Sequence, residues 1–164
     1  MGNELVADIQ EQTRVMLHNV DTMLQTCVLD AVLCEMPIWK HVYHLLHSLD
    51  RWFINPTQFV EPDFHEPGLN SLDITSDHAL TKEQLRRYHA AICLKIVDYL
   101  DTLTDDALTQ KPEGCPYTRM ALILGQYRHL YAHLGNINAV TIMRTGKWPR
   151  VVCLDGDLTQ GLYE

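Results

Sequence analysis

TKEQLRRYHAAICLKIVDYLDTL, residues 81–103, decides the fold class. Leu85, Tyr88, Ile92, Ile96, Tyr99 and Leu103 recur at three- and four-residue steps, which line one face of an α-helix. Thr81 and Gln84 stand three apart just ahead of that stripe. This is a capping-box pattern, in which each side chain satisfies a free backbone N–H of the first turn. No run of similar length alternates apolar and polar residues, as a half-buried strand would. The reading is therefore all-α.

Working outward, residues 54–80 read as a long connection, with Pro56, Pro62, Pro67 and Gly68 among acidic residues. So long a link in a compact domain is usually functional or disordered. Phe53, Phe59, Phe64 and His65, in or beside it, favour a packed loop. Before it, Ile38, Val42, Leu45, Leu49 and Trp52 give a second helix, with Pro37 suited to its first turn. A first helix spans Leu5 to about Cys34, broken where Met36 precedes Pro37. Downstream, residues 104–116 form a polar connection with one possible helical turn at Asp105–Leu108. A last helix runs from near Thr118 to about Met143, and Gly146 ends it. Trp148, Val151, Val152 and Leu154 of the tail are placed to pack back. The expected architecture is one domain over residues 1–164, a four-helix bundle with a long connection between helices 2 and 3.

Bulk composition narrows the function. The chain has 164 residues, 46% of them hydrophobic and 21% charged, the balance of a folded protein. A formal net charge of −8 opposes nucleic-acid binding, which needs a cationic face. No apolar run approaches the roughly 20 residues of a membrane helix. The opening MGNELVADIQEQ lacks the basic and apolar regions of a secretory signal, so the cytoplasm is the expected compartment. Five cysteines with no C-x-x-C pair argue against a disulfide framework or a Cys-rich zinc site. Cys27, Cys34 and Cys93 read as small core residues, and Cys115 as a turn residue open to solvent.

Nine histidines are roughly twice the usual share for this length. His129 and His133 stand four apart, on one face of the last helix, so both can reach a single ion. They share a stripe with Leu122, Gln126, Ile137 and Val140. An inward-facing pair needs a compensating partner: a metal, or hydrogen bonds from Tyr or Asp. H-E-x-x-H, E-x-x-H and C-x-x-C-H are absent, which removes a zinc protease, a di-iron bundle and attached haem. On the second helix, periodicity places His41 nearest the apolar face, His44 at its edge and His47 opposite the core. His89 borders the stripe of the third helix. His18, His65 and His78 read as surface or loop residues.

The segment from Pro37 to Phe53 resembles the second-helix signature of the DinB-like superfamily. In that signature a ligand histidine precedes Leu, with an aromatic two turns on; His44, Leu45 and Trp52 match it. The segment from Arg128 to Ile137 resembles the fourth-helix signature H-x-x-x-H-x-G-Q, with Asn136 where Gln is usual. The resemblance implies a four-helix bundle, often a homodimer, holding one divalent metal through His44, His129 and His133. It implies a metal-dependent hydrolase or a thiol-dependent S-transferase acting on a small molecule, with a low-molecular-weight thiol as a possible co-substrate. Zinc and nickel both suit imidazole ligands. His41 and His89 stay in reserve as ligands. Tyr131, Gln126, Asp50, His65 and Glu66 are candidates for a general base. The competing expectation is a non-catalytic, stress-linked helical dimer.

Overall fold

The structure is a computed structural model that describes residues 3–154 and 156–164. It is mostly helical, as the periodicities require. Helix α1 spans Glu4–Thr26, α2 Ile38–Trp52, α3 Lys82–Asp101, α4 Asp105–Leu108 and α5 Arg119–Thr145. The capping box before α3 forms as read: Thr81 Oγ1 accepts from the Gln84 N–H, and the Gln84 side chain accepts from the Thr81 N–H. Thr118 caps α5, and Gly146, with φ of 71°, ends it in the left-handed conformation that glycine adopts without strain.

The first helix stops at Thr26, short of the expected Cys34. Residues 32–37 instead form a small hairpin, β1 Val32–Leu33 paired with β2 Met36–Pro37. Cys34 and Glu35 turn the corner with φ of 49° and 68°. Both values lie in the left-handed region that most side chains avoid. Strands this short carry no alternation to read. Cys34 is exposed at the tip, and Cys115 is buried, the reverse of the expectation for each.

The long helices pack in pairs whose directions can be read from their contacts. Lys82 at the start of α3 reaches the Gln25 and Cys27 carbonyls at the end of α1, and Gln10 meets Asp101, so α1 and α3 are antiparallel. Tyr43 packs on Tyr88 and Asp50 binds Lys95, so α2 and α3 run in the same direction. His44 meets His129 and Ser48 meets Gln126, so α2 and α5 are antiparallel. Val20, Leu24, Val42, Leu45, Leu49, Ile92, Ile123 and Leu130 are fully or almost fully buried in one cluster fed by all four helices.

The parallel pair explains the long connection. A chain leaving α2 must return the roughly 22 Å length of that 15-residue helix before α3 can begin. Residues 53–81 make that return along the outer face of α2. They are a packed strap, with Leu69 buried and Phe64 set against Tyr43 and Tyr88. Lys40 donates from Nζ to the Gly68 carbonyl and to Ser76 Oγ. In the tail, Asn19 holds both the N–H and the carbonyl of Val152, which is buried, while Trp148 and Leu154 remain exposed.

Burial has a pH consequence. His89 lies between α1 and α3, and desolvation pulls its pKa down from 6.5 to about 4. The folded state thus binds fewer protons than the unfolded one, so this contribution is complete above about pH 6.5 and is lost towards pH 4. Unfolding in urea at pH 7 and pH 4 should show a loss of about 3 kcal/mol from this group. His89→Leu should shrink the pH dependence by that amount; an unchanged dependence would show that His89 is not buried neutral.

Candidate metal centre

His44 leaves α2 on the side facing α5, where His129 and His133 stand one turn apart. The three rings meet with centroid separations of 5.3 Å (His44–His129), 4.7 Å (His44–His133) and 4.6 Å (His129–His133). Each ring offers one nitrogen within 4.8 Å of the other two, so the group could hold a metal ion. Sequence reasoning placed His44 at the edge of the apolar face, and that edge is the seam between α2 and α5.

The hydrogen bonds settle the His44 tautomer. Its Nδ1 is 2.8 Å from the Asn70 carbonyl, which can only accept, so Nδ1 carries the proton. The Nε2 lone pair is then turned toward His129. Fixing one ring nitrogen with a backbone carbonyl is the usual way to aim the other at a metal. His44 Nε2 and His129 Nε2 are 3.3 Å apart. Two imidazole nitrogens, each about 2.0–2.1 Å from one tetrahedral zinc, would stand about 3.3–3.4 Å apart. The donor set therefore fits a divalent ion.

Protonation favours the same use. Burial lowers the pKa of His129, and the neighbouring His44 lowers it further. Burial, then His129, His44 and His41, bring His133 down to about 4. Both rings are neutral at pH 7 and keep a lone pair for a ligand. His129 Nδ1 is buried without a hydrogen-bond partner, a further cost to this ring that its folding role does not explain.

The reserve candidates have other employment. His41 donates from Nε2 to the Leu33 carbonyl of the hairpin at 2.8 Å. His89 lies 3.4 Å from Cys93 Sγ, away from the three rings.

A second group was missed. His47, Glu61 and His65 also bring one donor atom each within 4.8 Å of the others. His47 was expected to point away from the core, and His65 to be a surface or loop residue in a packed connection. His65 does lie in the packed strap, but that strap covers the polar face of α2 and leaves His47 only 3% exposed. Asn70 Nδ2 donates to His47 Nδ1 at 3.4 Å, so His47 Nε2–H donates to Glu61 Oε2 at 2.6 Å. The Tyr43 hydroxyl and His65 Nδ1 share a hydrogen bond of 2.8 Å, and His65 stacks on His47. Burial, partly offset by Glu61, lowers the His47 pKa. At 2.6 Å the His47–Glu61 contact is a hydrogen bond, shorter than the spacing of two ligands on one ion. This group therefore reads as an anchor for the strap. Asn70 joins the two groups, its carbonyl serving His44 and its side chain serving His47. The sequence signal was present only as a long, aromatic-rich connection.

Beside His129 a cavity of about 380 Å³ opens between α2 and α5, walled by Trp52, Tyr117 and Leu122. Of the five candidate bases, only Gln126 lines it. Asp50 is taken by Tyr88 and Lys95, Tyr131 by Asn19, His65 by Tyr43, and Glu66 lies 3.8 Å from the exposed His78.

No family model, curated protein or solved structure matches the chain. The functional reading therefore stands on the geometry.

Nitrogen-15 spectra at pH 7.5 without added metal should show the Nδ1–H tautomer at His44 and the Nε2–H tautomer at His47. Glu61→Ala should release the strap and speed amide exchange at residues 65 to 70 by about tenfold or more. An opposite pair of tautomers, or unaltered exchange, would contradict the anchoring scheme.

Proposed function

We propose that this chain is a DinB-like four-helix bundle, a cytoplasmic homodimer, that holds one divalent metal through His44, His129 and His133. Zinc and nickel are the proposed ions. The activity is that of a metal-dependent hydrolase or a thiol-dependent S-transferase acting on a small molecule. The observation that carries this reading is the convergence of three imidazoles from two helices, with His44 Nε2 turned to His129 by the contact of Nδ1 with the Asn70 carbonyl. Direct contact with nucleic acid or membrane has no part in it. The net charge is −8, and no described helix is long and apolar enough to cross a membrane.

A divalent ion with an open coordination position lowers the pKa of a bound water or thiol, supplying a nucleophile near neutral pH. The chain's own residues do the rest. Asn70 holds the His44 proton at Nδ1. Burial keeps His129 and His133 unprotonated. Trp52 and Leu122 narrow the approach to His129. Gln126, held by the Ser48 hydroxyl at 3.3 Å, can orient a substrate but cannot take a proton.

That last point favours a second reading, a metal-stabilised bundle without catalysis, because none of the candidate carboxylates reaches the cavity.

The untagged protein should bind one Zn²⁺ or Ni²⁺ per chain. His44→Ala and His133→Ala should each weaken it by about a hundredfold or more. Stoichiometric metal that survives both substitutions would remove the three-histidine centre. With metal bound, thiol consumption against an electrophile panel is compared with ester and amide hydrolysis. Turnover lost in His44→Ala supports the enzyme. No turnover with tight metal binding supports the structural bundle.

A further inference from the structure

Of the three histidines, His129 lines the cavity between α2 and α5, and the rest of that wall is left unexplained by the metal centre. Trp52 is 36% exposed and Tyr117 53% exposed, two large aromatic surfaces left in water beside the same cavity. Folding gains little from them there, and exposed aromatic surface beside a concave site is typical of ligand binding. Leu122 is buried below them. The polar groups are few. Gln126 is buried and fixed by Ser48. Arg128 is exposed at the rim, and its guanidinium makes no ion pair among the described residues. A protein of net charge −8 thus places one unpaired cation, Arg128, at the entrance to a small aromatic-walled cavity.

We infer that the cavity takes a small organic acid. Its carboxylate meets Arg128, whose planar fork suits that group. Its aromatic or apolar body lies between Trp52 and Tyr117 over Leu122, and its far end is directed at His129. The direction of the ligand rests on the reading of His44, His129 and His133 as the reactive centre; the class of ligand does not. The size agrees, since about 380 Å³ is at the small end of pockets for small molecules.

The probes are 2-naphthoate and its neutral counterpart 2-naphthamide, titrated calorimetrically into the full chain with and without Zn²⁺. Naphthoate should bind once per chain, about tenfold or more tighter than the amide. Arg128→Gln should erase that preference, and Trp52→Ala should weaken both probes. Both positions are solvent-exposed, and a circular dichroism spectrum confirms that the variants fold. His133→Ala should weaken Zn²⁺ binding by about a hundredfold or more yet leave naphthoate affinity without Zn²⁺ within about threefold, because His133 does not line the cavity. Equal affinity for the two probes, a preference that survives Arg128→Gln, or no binding of either probe would overturn the inference. Naphthoate binding without Zn²⁺ binding would overturn the metal centre and leave this inference standing.

Discussion

Because α2 and α3 run in the same direction, the chain must travel back along the whole of α2 before α3 can start. Most of what is distinctive in the molecule depends on that constraint. The returning strap has to lie on something, and it lies on the one face of α2 that the other helices leave open. A helix with a polar outer face is thereby covered over most of its length, with Arg51 and Trp52 left exposed at its end. Lys40 and His47 end up buried, and each needs a partner that only the strap can provide.

Those partners give the strap a set position. Glu61 accepts a hydrogen bond from His47, Tyr43 and His65 share another, and Asn70 donates to the other nitrogen of His47. Asn70 is thereby held where its own carbonyl meets His44. The aim of the His44 lone pair is thus set by a loop residue 26 positions away, itself fixed by a separate histidine group. Buried polar groups are costly unless every member is satisfied. Here the satisfaction of one group is the geometry of the next.

Much of this was legible in the residues. The stripe in residues 81–103, the capping box, the short turn at Asp105 and the Gly146 stop all depend on local chemistry, and all appear. The pairing of His129 with His133 follows from helical period alone. The choice of His44 over His41 did not follow from period, which preferred His41. It came from the resemblance; in the structure His41 is buried as its period requires but meets the hairpin carbonyl of Leu33, while His44 is the ring beside His129 and His133. The hairpin escaped because its strands are two residues long and its corner uses Cys34 and Glu35 in place of Asn-Gly. His47 and His65 escaped because amphipathicity reports which face meets other helices, and cannot show that a loop will cover the opposite face.

The separation of the ligands along the chain bears on how the centre comes into being. His44 and His129 lie 85 residues apart, and Asn70 can reach His44 only after the strap has wrapped. Closing loops of that size is entropically costly, so local helices such as α3 form ahead of such contacts. The imidazole cluster is then a late product of folding. Interactions made after the rate-limiting step retard unfolding and leave the speed of folding almost untouched. An ion captured by these three rings would act as a latch on the finished protein, lengthening its lifetime without guiding its assembly.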